Sequence, residues 1–157
     1  MGLYYWQGGI DIEDRSGYIL VGWFFNPEGT GARIDSWTRV TNPNPHTVYA
    51  VWVRAEFEIE LEDGTTQTML GGEWGHIVTI GVGETFTIRP LFDLQVETHN
   101  VWNDWIVEVQ LQNITWSVTG VHEGEGIAEF TWLIIIDDDR PIRIINNSIL
   151  VIVTPNP

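Results

Sequence analysis

The chain has 157 residues, with 22 acidic against 7 basic, for a net charge of −15. The length suits one domain with a real core. The charge argues against nucleic acid, which needs clustered Lys and Arg, and zero Cys excludes disulfides, thiolate catalysis and Cys-ligated zinc.

Nearly every apolar stretch reads as strand. Residues 1–16 form a possible N-terminal arm, in which Gly2, Gly8 and Gly9 punctuate the aromatic cluster Tyr4-Tyr5-Trp6. Tyr18–Phe25 is β-rich and ends at the turn formers Asn26-Pro27-Glu28-Gly29. Ile34–Val40 alternates weakly and stops at Asn42-Pro43-Asn44-Pro45, where two X-Pro steps impose extended or turn geometry. Val48–Leu61 is the clearest element. Ala55, Phe57, Ile59 and Leu61 share one face, and Glu56, Glu58, Glu60 and Glu62 the other. Period two means one buried and one solvated face. Asp63-Gly64 supplies a type I′ hairpin turn, and Thr65–Leu70 is the return strand.

Gly71-Gly72 breaks the chain before a short strand at His76–Ile80. Gly81–Glu84 turns into Thr85–Phe92, where Pro90 predicts an edge or a bulge. Trp105–Val118 reads as one long strand with mixed faces. The Gly-rich loop Gly120–Gly126 leads to Ile127–Ile136, which stops at Asp137-Asp138-Asp139. Ile142–Ile145 and Ile149–Val153 follow, separated by Asn146-Asn147. These are nine or ten strands with no convincing helix. They predict an all-β antiparallel β-sandwich, Ig-like or jelly-roll. With no repeat and no linker, residues 17–157 are expected to form one domain.

All seven basic residues are Arg, and Lys is absent, although Lys is ordinarily among the commoner residues. Carboxylates hold water and cations, whereas the Lys stem adds apolar surface. At several molar salt the Debye length falls below about 3 Å, which screens the self-repulsion of an acidic skin. A halophilic, archaeal or archaeal-viral, source is the expectation. The first residues carry no basic and apolar leader pattern, and the longest apolar runs are too short to span a bilayer. No membrane span is expected.

No constellation for catalysis emerges. His46, His76, His99 and His122 lie apart, without zinc-ligand spacing. Asp137, Asp138 and Asp139, and Glu123 with Glu125, could bind a hard cation but match no calcium-loop pattern. They are weak metal candidates, and neither metal nor cofactor is expected. The Glu56–Glu62 row puts carboxylates about 7 Å apart, on a solvated face that offers no desolvation to raise a pKa. The chain reads as non-enzymatic. Two glycosylation sequons occur, Asn113-Ile114-Thr115 and Asn146-Asn147-Ser148. The first falls inside an expected strand. The second falls on an expected turn and reads as the better acceptor.

Nine Trp exceed what a sandwich core of this size takes. Indoles need an N–H partner when buried and are enriched at interfaces. Trp102 and Trp105, in a polar loop, are the best exposed pair, with carbohydrate stacking the lesser reading. The strand of Ile149, Val151 and Val153 is apolar and uncharged, so it is covered. It is either a central core strand or pairs with a neighbouring subunit by strand addition. The aromatic arm of Tyr4, Tyr5 and Trp6 raises the same question. The candidate partner interface is thus Tyr4, Tyr5, Trp6, Trp102, Trp105, Ile149, Val151 and Val153.

The stretch from Val40 to Phe92 reads V-T-N-P-N-P, a long alternating strand, E-D-G-T, then V-G-E-T-F-T-I. It resembles the water-stress β-sandwich of the type 2 late embryogenesis abundant proteins and related Ig-like modules. The resemblance covers about a third of the chain and implies turn-forming roles for Asn42, Pro43, Asn44, Asp63, Gly64 and Gly83. It also implies a non-enzymatic role in protection, binding or assembly.

Two functions follow as expectations. The first is a structural or interaction subunit of a larger assembly from a halophilic source: a virion decoration, turret or tail component, or a surface filament. It would be homo-oligomeric or joined to other protein subunits, in a virion or extracellular assembly. The alternative is a free-standing protective or binding sandwich of the water-stress type, in the cytoplasm of a halophile.

Overall fold

The computed structural model describes residues 15–35, 38–42, 44–135 and 143–155, and only the backbone of 98–103 and 143. Tyr4, Tyr5, Trp6, Asp137, Asp138 and Asp139 lie outside the described residues. Eleven strands and no helix occur among them: β1 Tyr18–Phe24, β2 Tyr49–Arg54, β3 Glu56–Leu61, β4 Thr66–Leu70, β5 His76–Gly81, β6 Thr85–Pro90, β7 Gln95–Asn103, β8 Val107–Gln112, β9 Thr115–Gly120, β10 Gly124–Ile135 and β11 Arg143–Thr154. The chain is all-β. Where the sequence leads one to expect a single domain over 17–157, the contacts form two compact units, Met1–Arg54 and Ala55–Pro157.

In the first unit β1 and β2 pair antiparallel, with a slip in register between Leu20 and Gly22. Gly22 has φ of 156°, and a Cβ there would lie 2.4 Å from Arg33 Cδ, so only glycine fits this bulge. Ile19, Leu20, Phe24 and Ile34 are buried. Of the expected strand 34–40, the described residues keep isolated bridges at Ile34, opposite Trp23, and at Arg39. Between the two, Asp35 and Thr38 bond to each other. Thr38 Oγ1 accepts from Asp35 N and donates to Asp35 Oδ1, both at 2.9 Å. Short polar side chains thus offer the backbone partners that compete with a ladder.

The expected strand 48–61 divides at Ala55. On one side β2 pairs β1; on the other β3 pairs β4 and β6. The alternation is nevertheless correct, for Ala55, Phe57 and Ile59 are buried while Glu60 is exposed.

The second unit is a β-sandwich. One sheet has the order β4-β3-β6-β9-β8, the other β5-β11-β10-β7. All pairs are antiparallel except β5 with β11, which run parallel from Ile149 opposite His76 to Thr154 opposite Gly81. The core lies between the sheets. Phe57, Ile59, Phe86, Ile88, Trp116 and Val118 come from the first, and Val78, Phe130, Trp132, Ile149, Val151 and Val153 from the second. The ring of Phe57 meets Trp132 at 4.6 Å between centroids, and Trp116 meets Phe130 at 6.0 Å. Each such side chain removed from water contributes roughly 1.5–3 kcal/mol.

Four local expectations are corrected. The stretch Trp105–Val118 is a hairpin, with Gln112 opposite Thr115 and Asn113-Ile114 as its two-residue turn. Asn146-Asn147 is no turn but the interior of β11, where Asn147 pairs with Phe130. Trp102 lies on β7 opposite Glu129 rather than in a loop. β6 is not an edge strand, being flanked by β3 and β9, but Pro90 at its end pairs with Phe57 of β3 alone, because the β9 ladder stops at Ile88.

Candidate functional site

The connection from β7 to β8 is a tight turn, Asp104-Trp105-Ile106. Asp104 sets it. Its Oδ1 accepts from Ile106 N and its Oδ2 from Ile127 N, each at 3.0 Å. The carbonyl of Ile106 accepts from Val121 N at 2.8 Å and from His122 N at 3.2 Å. Three segments are thereby stitched together: this turn, the β9–β10 connection and the start of β10. Their closeness requires glycine. A Cβ on Gly126 would stand 2.8 Å from both Asp104 Oδ1 and Ile106 Cβ.

The frame fixes two rings at the surface. Trp105 is 73% exposed, the most exposed large apolar side chain among the described residues. His122, also exposed, tilts over it with ring centroids 5.1 Å apart and 47° between planes. Val121 and Ile127 are exposed beside this frame. Ile127 also belongs to a row on the outer face of the four-stranded sheet, because β10 Ile127 pairs with Leu150 and Leu150 with β5 Ile77. Ile77 and Ile127 are 56% and 41% exposed.

A second polar cluster lies between β4, β5 and β11. Glu73 Oε1 meets His76 Nδ1 at 2.9 Å, and its Oε2 accepts from Leu70 N at 2.9 Å. His76 Nε2 lies 3.0 Å from Gln67 Oε1. Burial pushes the Glu73 carboxyl up, but the hydrogen bonds from His76 and Leu70 outweigh it and hold it below its ordinary range. Gly75 N donates to Ser148 Oγ at 2.8 Å. These contacts bind the β4–β5 connection to β11. They read as architecture.

Of the residues picked from sequence, Trp105 is exposed as expected. The structure does not describe the Trp102 side chain. Ile149, Val151 and Val153 face the core, and β11 has β10 on one side and β5 on the other. Strand addition there is excluded, because both of its edges are taken within the chain. Of the other tryptophans, Trp116 and Trp132 fill the core and Trp74 is exposed. The fourfold glutamate row is partly spent on structure. Arg89 Nε donates to Glu58 Oε1 at 2.9 Å, and Glu62 Oε1 accepts from Thr85 N at 2.9 Å. Among the described residues no three His, Asp or Glu are grouped as a metal site, and no helix is long and apolar enough to cross a membrane. His122 was missed as a companion of Trp105, because only the fold joins its turn to that of residues 104–106. Comparison of the chain with known protein families, curated proteins and solved structures finds no match.

Proposed function

We propose that the chain is a non-enzymatic structural or interaction subunit of a protein assembly that works in high salt. A virion decoration, turret or tail component, or an extracellular surface filament, fits this reading. The observation that carries it is Trp105. An indole held 73% exposed on a turn stitched by Asp104, Ile106, Val121 and Ile127 keeps its apolar ring in water, so covering it with a partner is favourable. A rigid aromatic anchor of this kind is what interface hot spots are made of. The Ile77–Leu150–Ile127 row adds an uncharged strip on a strongly acidic chain, which suits contact with a further subunit. Self-association is the form proposed.

Light scattering after size exclusion in 3 M KCl tests it. The wild-type chain elutes as an oligomer, and Trp105→Ala lowers its mass while the far-ultraviolet circular dichroism of the folded chain stays unchanged. A wild-type chain that stays monomeric at about 100 μM, where protein contacts of ordinary size are populated, overturns the proposal. It would favour the protective water-stress reading instead. The observation behind that second reading is the turn chemistry: Asp63 Oδ1 accepts from Thr65 N at 2.7 Å and Asn42 Oδ1 from Asn44 N at 3.0 Å.

A further inference from the structure

The two sequons exchange roles once the fold is known. Asn146 is inside β11, opposite Thr131 of β10, and its Oδ1 accepts from Thr131 Oγ1 at 3.0 Å. To reach a transferase it would have to leave a paired strand. Asn113 is the first residue of the two-residue turn between β8 and β9, with φ of 58°. It is the one non-glycine residue with positive φ among the described residues. Asparagine is among the few residues that accept this conformation. The turn is exposed at both positions. Thr115, the third sequon residue, begins β9 immediately after it. Acceptor, turn and hydroxyl thus sit together at the tip of a hairpin whose outer strand, β8, is the edge of its sheet.

We propose that Asn113 is an acceptor for an N-linked glycan. The donor is an oligosaccharide carried on a lipid phosphate or diphosphate. Asn113 Nδ2 forms a bond to the anomeric carbon of the first sugar. The bond from that carbon to the phosphate oxygen breaks, and the lipid phosphate leaves with the electron pair. The amide proton passes to a carboxylate of the transferase. The glycan then stands over Leu111 and Ile114, two exposed apolar residues beside the acceptor. At that place it blunts the open edge of β8, where an unpaired strand invites unwanted pairing. The proposal rests on the extracellular side of the assembly reading, and not on self-association.

The test presents the folded chain to a purified oligosaccharyltransferase with its lipid-linked donor, followed by intact mass and glycopeptide mapping. A synthetic peptide spanning residues 110–117 is the positive control. One glycan is expected on the wild-type chain and on Asn146→Gln, and none on Asn113→Gln or Thr115→Val. A glycan that persists in Asn113→Gln overturns the proposal. So does a folded chain left unmodified while the peptide is accepted. Neither result bears on the mass measured by light scattering, so the two proposals fail separately.

Discussion

Asn147 donates its side-chain amide to the carbonyl of Leu70 at 2.7 Å, and more weakly to that of Glu73 at 3.3 Å. It does so from a fully buried place in β11. One side chain thus satisfies two carbonyls at the start of the β4–β5 connection. Each carbonyl keeps a backbone donor without it, Glu73 N for Leu70 and Ser148 N for Glu73, so Asn147→Ala loses side-chain hydrogen bonds without orphaning an acceptor, at a cost of about 0.5–1.5 kcal/mol. Asn147→Asp should cost more, because a carboxylate would face two carbonyl oxygens in a dry site. Urea unfolding of the two variants checks the order. An Asp variant as stable as the Ala variant would contradict this account.

Glu73 gives a pH signature. Its carboxyl is held below the ordinary value of 4.5, so the folded state binds its proton less readily than the unfolded chain. The stabilisation is therefore complete above pH 4.5 and is lost as pH falls through the lower folded value. The side chain is 38% exposed, which limits the effect to no more than about 1 kcal/mol. Glu73→Gln should be less stable than wild type at pH 7, with the gap closing toward pH 3. A gap that stays constant from pH 7 to pH 3 removes Glu73 as its cause.

Gly126 holds the Trp105 frame. A methyl group placed 2.8 Å from Asp104 Oδ1 and Ile106 Cβ must push the turn away or break the Asp104–Ile127 bond. Gly126→Ala should cost about 1–3 kcal/mol, the usual range for overpacking. It should also free the Trp105 ring from His122. Time-resolved anisotropy of Trp105 fluorescence, isolated as the difference from Trp105→Ala, reports the second effect. Ring motion should be faster in the Gly126→Ala variant than in wild type, and an unchanged anisotropy decay would contradict this account.

Alternation made β3 readable, since Phe57 and Ile59 are buried between glutamates, and Asp63-Gly64 announced its hairpin but not the turn type: Gly64 has φ of 82° whereas φ at Asp63 is not positive, so the expected type I′ turn is not formed. Alternation says which face is covered, not which strand is the neighbour. The change of partner at Ala55 and the parallel pairing of β5 with β11 were therefore invisible. β7 was hidden because it carries Glu97, His99, Asn100 and Asn103, residues whose local preferences favour loops. Asn113 and Asn146-Asn147 were misread for opposite reasons. At Asn113 a turn residue sat in an apolar run. At Asn147 a turn former is held in a strand by carbonyls far along the chain. Trp105 was legible as an indole among polar residues. Its ring partner was not, since nothing local ties residue 105 to residue 122.

Salt dependence is the last expectation. The net charge of −15 without one Lys makes self-repulsion the main electrostatic load on the folded chain. Along β3 the carboxylates of Glu56, Glu58 and Glu60 stand about 7 Å apart, and Arg89 binds Glu58. Screening relieves such repulsion within the first few tenths molar KCl, because the Debye length is already about 3 Å at 1 M. A mesophilic acidic protein should gain little beyond that point. A chain whose carboxylates serve to hold water and cations in brine should go on gaining to 3 M. Calorimetric melting temperatures at 0.1, 0.5 and 3 M KCl separate the two. We expect a rise of several degrees in each interval, and a flat response above 0.5 M would remove the salt-adapted reading. Glu60→Gln, which deletes one charge from the row, should raise the melting temperature at 0.1 M KCl and leave it unchanged or lower it at 3 M.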